Sequence, residues 1–115
     1  MIDFEDLEEF ARDVKRLAKK YRTIHEDLVV VKKVLNIKPE ANPPFSQRIE
    51  GLGVESCIIK VRKIASKSFK GKGVQSGFRL VYAYYKEEKR IVFIELYHKS
   101  EKALEDRVRI KKYFK

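Results

Sequence analysis

The stretch Phe78-Arg-Leu-Val-Tyr-Ala-Tyr-Tyr-Lys-Glu-Glu-Lys-Arg-Ile-Val-Phe-Ile-Glu-Leu-Tyr97 decides the fold. Two runs rich in β-branched and aromatic residues, 78–85 and 90–97, flank the polar turn Lys86–Lys89. That pattern predicts two antiparallel strands joined as a hairpin. Alternation sorts the first strand by face. Phe78, Leu80, Tyr82 and Tyr84 share one side, and Arg79, Val81, Ala83 and Tyr85 share the other. The apolar side, with Phe93 and Cys57, belongs to a core.

Upstream, Ile58–Ile64 reads as a third strand. Ile59 and Val61 point one way, while Ile58, Lys60 and Arg62 point the other. Between it and the hairpin lies Ala65–Gly77, which holds glycines, serines and lysines but no acid and is expected to be a flexible, solvated excursion. Further upstream, residues 37–56 carry prolines 39, 43 and 44 and read as a long connection across the sheet edge.

The N-terminal part has a different period. Phe4, Leu7, Phe10, Ala11, Val14, Leu17, Ala18 and Tyr21 recur at helical spacing, with Asp3 as the expected N-cap. Acids at the front and Lys15, Arg16, Lys19 and Lys20 at the back suit a helix dipole. Thr23-Ile-His-Glu26 matches a capping box that opens a second helix, with Ile24, Leu28, Val31, Val34 and Leu35 as its apolar stripe. Glu101–Lys115 is a short basic helix or tail, with Leu104, Val108, Ile110 and Phe114 available for docking. The predicted architecture is α+β, one domain over residues 1–115. An N-terminal αα-hairpin packs on one face of a small, mainly antiparallel twisted sheet.

Charge narrows the function. Lys and Arg number 27 against 17 acids, a formal net charge of +10, and between Ser56 and Lys86 every charged residue is basic. Such an excess favours a polyanion, nucleic acid above all. No apolar run is long enough for a membrane span and no hydrophobic signal segment is evident, so no membrane partner is expected. The single Cys57 excludes an intrachain disulfide and fits a cytoplasmic setting. Cys57, His25 and His98 are too scattered for a zinc site, and no Gly-rich phosphate loop, HExxH or GxSxG occurs, so neither a metal nor another cofactor is expected.

A sheet with helices on one face can leave the other face in water, and Lys60, Arg62 and Arg79 would then occupy the open face. Phosphate binding explains them better than a structural ion pair, for which the neighbouring strand offers only Glu95. Lys67, Lys70 and Lys72 are equally explained by a solvated loop. His98 at a strand end reads, on its own, as a histidine bonded to a backbone carbonyl.

Five segments together resemble the RelE/ParE superfamily of bacterial and archaeal toxins from toxin–antitoxin pairs. They are Phe10–Tyr21, Glu50-Gly-Leu52, Ile58-Ile-Lys-Val-Arg62, Gly77-Phe-Arg-Leu-Val-Tyr82 and Ile91–Lys99. The family opens with a strand, of which a helix from Phe4 leaves at most Met1–Asp3. RelE-like members cut mRNA in the ribosomal A site by metal-independent attack of a 2′-hydroxyl on its own 3′-phosphate. The resemblance assigns phosphate stabilisation to Arg79 and catalytic-face positions to Lys60 and Arg62. Tyr97-His98 is similar to the C-terminal Tyr-His pair of YoeB-like members, which makes His98 the candidate acid/base. Lys63, Lys67, Lys70, Lys72 and Lys99 are candidate RNA contacts, and Tyr85, on the Arg79 face, could stack on a base. The implied partners are a cognate acidic antitoxin, mRNA on the ribosome and ribosomal RNA. Two other readings remain: a ParE-like toxin that acts on DNA gyrase without nuclease activity, and a simple basic nucleic-acid-binding module.

Overall fold

In the computed structural model, which describes residues 1–115, eight elements follow in order. They are β1 (Asp3–Asp6), α1 (Glu8–Ala18), α2 (Ile24–Ile37), β2 (Ser46–Arg48), β3 (Cys57–Val61), β4 (Phe78–Tyr85), β5 (Arg90–His98) and α3 (Arg107–Tyr113). The open sheet runs β1-β5-β4-β3-β2. β1 is parallel to β5 and every other neighbouring pair is antiparallel.

The α+β expectation holds, and alternation on β3 and β4 is read correctly. Phe10, Val14 and Leu17 of α1 and Leu28, Val31 and Leu35 of α2 bury against Ile59, Val61, Phe78, Leu80, Tyr82 and Phe93. On the other side, Ile58, Val81, Ala83, Val92 and Ile94 meet Ile110 and Phe114. This second layer overturns the expected open face: α3 and the segment leading to it cover much of that side of the sheet.

The N-terminus differs from the reading above. Residues 3–6 form an edge strand, not the first turn of a helix, and Asp3 N–H donates to Lys89 O at 2.9 Å. Phe4 satisfies either period, but only a strand lets its ring stack on Phe93, with centroids 5.6 Å apart. The helix starts at Glu8, behind Leu7. The family's opening strand is therefore present.

Two further corrections concern connections. Within 37–56, Ser46–Arg48 adds to the sheet edge beside β3. Thr23 caps α2 by position but makes no side-chain cap bond, and its hydroxyl donates to Asp27 Oδ2 at 3.0 Å instead. Asp27 is buried because it anchors the Ala65–Gly77 loop, accepting from the Ser66 hydroxyl and from Lys67 N–H at 3.1 Å. Phe69 stacks on Tyr21 and His98, and the Ser76 hydroxyl donates to Ile64 O. The loop is solvated over most of its length, as expected, but it is tied to the body at both ends and in the middle. Its lysines lie outside while its serines and phenylalanine do the tethering.

Candidate nucleic-acid interface

A single extra residue in β5 decides which side chains meet. Val81 pairs with Glu95 and Tyr82 with Phe93, so Ile94 is left over as a bulge. Past a bulge, every side chain moves to the opposite face from the one simple alternation gives it. Leu96 and His98 consequently turn toward the helices, whereas Glu95 and Tyr97 turn toward α3. The backbone groups around the bulge are satisfied by side chains from two helices. Leu96 N–H donates to Asp13 Oδ2 at 3.1 Å and Arg109 Nη1 donates to Ile94 O at 2.8 Å. Asp13 and Arg109 pair with each other at 2.7 Å.

His98 is therefore separated from Arg79, contrary to the grouping expected above. Phe78 and His98 are register partners, with ring centroids 5.1 Å apart, whereas Arg79 sits opposite Tyr97 on the reverse side. The imidazole stacks against Phe69 and Tyr21 at 5.2 and 5.6 Å. Its Nε2–H donates to Ser76 O at 2.9 Å, and Nδ1 accepts from Ser100 N–H at 3.1 Å. With both nitrogens engaged and the residue buried, His98 is a tether for the loop.

Lys60 also departs from expectation. Its side chain is only 6% exposed, and Nζ donates to Glu105 Oε1 at 2.8 Å and to the Tyr97 hydroxyl at 3.2 Å. Burial alone would raise the Glu105 carboxyl, but the Lys60 ammonium and Arg107 reverse this and hold it below the ordinary carboxylate range. Lys60 is thus spent on a buried ion pair whose partner lies far along the chain.

The remaining candidates do converge. Arg62, Lys63, Arg79 and Lys99 line a cleft of about 200 Å³ with Val74, Gln75 and Gly77, and no carboxylate lines it. Arg79 Nη1 donates to Arg62 O at 3.3 Å and to Phe78 O at 3.2 Å, which ties its guanidinium to the backbone beside the cleft. Positive groups held by strand ends, with no acid to neutralise them, favour a phosphate or another compact anion. Lys67, Lys70 and Lys72 stand apart on the loop, and Lys67 pairs with Glu26 at 3.5 Å. Tyr85 is at the far end of β4, roughly 20 Å of extended chain from Arg79, and lies under the Arg90 guanidinium at 4.3 Å. It does not reach the cleft.

A second cleft of about 190 Å³ adjoins the first and shares Arg62 with it. Its walls include Gln47 and Arg48 from β2 and Leu104 and Arg107 from the segment before and into α3. Gln47, Arg48 and Arg107 were not singled out in the sequence, since β2 is a three-residue polar strand with no periodic signal of its own, and Leu104 stood out there only as an apolar residue available for docking. No group of three or more His, Cys, Asp or Glu side chains is placed to hold a metal ion. No helix is long and apolar enough to cross a membrane.

No known protein family matches the sequence, and no curated protein does. Solved structures do match. One is a metal-bound toxin from Helicobacter pylori, with a TM-score of 0.62 at 19% identity over 88% of this chain and 98% of that one. Another is a chain of the archaeal RelE–RelB complex from Pyrococcus horikoshii OT3, with a TM-score of 0.59 at 14% identity and the same coverage, 88% and 98%. A conserved hypothetical protein from Helicobacter pylori gives 0.53 at 17% identity, again over 88% and 98%. With α1 and α2 on one face of the sheet, α3 on the other, a parallel first strand and a bulged last one, this chain has the fold of the RelE-type toxins.

Proposed function

We propose that this chain is the toxin of a toxin–antitoxin pair and acts in the cytoplasm as a ribosome-dependent mRNA endoribonuclease. The observation that carries the reading is the acid-free cleft of Arg62, Lys63, Arg79 and Lys99 on the RelE-type fold. In the proposed step a 2′-oxygen attacks the adjacent phosphorus and the bond from phosphorus to the 5′-oxygen breaks. The products are a 2′,3′-cyclic phosphate and a free 5′-hydroxyl. Arg79 and Arg62 would stabilise the charge that grows on the pentavalent phosphorus. The 2′-hydroxyl proton passes to water, and a lysine ammonium of the cleft, Lys63 or Lys99, protonates the leaving 5′-oxygen. No imidazole or carboxylate faces the phosphate position, so alignment of the 2′-oxygen must come from how the RNA is held. In-line orientation is worth several powers of ten in rate, and a ribosome that fixes the mRNA would supply it.

A cognate acidic antitoxin completes the proposal, and its carboxylates would offset part of the +10 charge. On α2, Val29, Val30 and Ile37 are 53, 51 and 79% exposed beside Lys32, Lys33 and Lys38. An apolar stripe edged by lysines suits an acidic amphipathic segment. The missing general base favours one second reading, a toxin of ParE type that acts on DNA gyrase and cuts nothing.

The deciding experiment is expression from a tightly repressed promoter with mapping of mRNA ends, beside Arg79→Ala. Purified protein is then incubated with mRNA in the presence and absence of ribosomes. New ends within translated codons, lost with Arg79→Ala and absent without ribosomes, are expected. Growth arrest with intact mRNA would replace this reading by the gyrase-type one.

A further inference from the structure

We infer that the second cleft, on the far side of Arg62, is a nucleobase pocket that seats the base adjoining a phosphate held in the first. The inference rests on the phosphate reading of the Arg79 cleft and adds a recognition site to it. The two clefts are nearly equal in volume, about 200 and 190 Å³, but their chemistry differs. The first carries cations and no acid. In the second, each acid is already matched: Glu105 by Lys60 at 2.8 Å and Arg107 at 3.0 Å, Glu50 by Arg48 at 3.8 Å. What remains on offer is apolar surface, guanidinium planes and an amide.

Those are the groups a base needs. Its faces gain from stacking on apolar and guanidinium surfaces, and its edge needs both donors and acceptors. Leu104 is 59% exposed at the wall of this cleft, a large apolar side chain with no role in either core layer. Gln47 is the register partner of Lys60, which puts its amide on the cleft side of the sheet. An amide can donate and accept, so it reads a base edge and gains little from a phosphate. Arg107 is held in place by Glu105, and Glu105 by Lys60 beneath it. The buried ion pair of Lys60 thus acquires a role: it positions the wall of the pocket from below. Arg62, common to both clefts, sits where a nucleotide passes from its phosphate to its base.

The test uses the intact protein and two dye-labelled ligands of equal charge, a tetra-adenylate and a tetramer of the same ribose-phosphate backbone without bases. Anisotropy titrations are run on the wild type and on Leu104→Ala, Gln47→Ala and Arg79→Ala. Both pocket residues are exposed, and circular dichroism checks that each variant is folded. The wild type is expected to prefer the base-bearing ligand by about tenfold, the scale of one stacked base. Leu104→Ala and Gln47→Ala should remove most of that preference and leave the abasic affinity unchanged, while Arg79→Ala weakens both ligands. Equal wild-type affinities, or a preference untouched by Leu104→Ala and Gln47→Ala, would overturn the base pocket with the phosphate cleft intact. Binding of both ligands that survives Arg79→Ala would overturn the phosphate cleft and the pocket built on it.

Discussion

Gly77 and His98 approach more closely than any residue with a side chain at position 77 permits: a Cβ there would stand 2.6 Å from His98 Nε2. Gly77 also adopts a φ of +95°, outside the range L side chains favour. It is the hinge by which the loop returns to β4, and the imidazole fills the space over it.

Gly77→Ala should therefore be costly twice over, in backbone strain and in displacement of His98. About 1–3 kcal/mol is the usual cost of a strained backbone position, and the clash adds to it. A urea titration followed by circular dichroism measures the sum. Gly71→Ala is the control, because it shares a positive φ but meets nothing within 4 Å. An equal loss in both would mean that only the backbone, and not the His98 contact, sets the requirement.

His98→Ala separates a tether from an acid/base. The imidazole joins Phe69, Tyr21, Ser76 and Ser100, so its removal should cost about 1–3 kcal/mol in lost stacking and hydrogen bonds. Trypsin should then cut faster at Lys67, Lys70 and Lys72, while the cations of the cleft stay in place just past β3, on β4 and just past β5. Limited proteolysis and RNA titration report the two halves of this expectation. Lost RNA cleavage with an unchanged urea midpoint and unchanged proteolysis would give His98 a direct chemical role.

The reason this placement escapes the sequence is local. Phe78 to Tyr85 alternates cleanly, so both faces of β4 are legible, and with them Arg79. In β5 the run Ile91-Val-Phe-Ile is apolar at every position, and nothing in it marks Ile94 as the extra residue. The markers lie elsewhere, in Asp13 and Arg109, which bond the bulged backbone from helices at the two ends of the chain. Lys60 is obscured for a similar reason. Its strand neighbours suggested only Glu95, but the partner is Glu105, delivered by a segment that folds over the sheet. Asp3–Asp6 and Ser46–Arg48 are short edge strands, and their hydrogen bonds rather than their own residue pattern make them strands. Arg62, Lys63 and Lys99 were legible as basic residues, though their meeting with Arg79 in one cleft depends on the β3–β4 register and on the return of the loop at Gly77.

Lys60→Met should destabilise strongly, because it leaves Glu105 buried without its main partner. About 3–5 kcal/mol is typical for removing one member of a buried pair. The sign with pH follows from the lowered Glu105 carboxyl. A folded value below the ordinary 4.5 contributes stability above that pH and loses it as pH falls through the folded value. The gap in urea midpoint between wild type and Lys60→Met should therefore be widest near neutrality and narrow below about pH 4.5. A double variant, Lys60→Met with Glu105→Gln, should recover part of the loss. A gap that stays constant to pH 3 would mean that the ion pair contributes little to folding.

The cleft makes its own prediction through salt. Each phosphate contact on single-stranded nucleic acid contributes about 0.7 to the slope of log affinity against log salt. Replacing Arg62 and Arg79 together by Ala should lower the slope for an RNA oligonucleotide by roughly 1.4 if each neutralises one phosphate. Lys86→Ala, in the hairpin turn at the other end of β4, should leave it unchanged. Equal slopes in the wild type and the double variant would place the RNA elsewhere, with the lysines of the tethered loop as the next surface to test. A slope that falls with the two arginines but not with Lys86 would tie the polyanion to the acid-free cleft of Arg62 and Arg79, on the face that the bulge at Ile94 denies to His98.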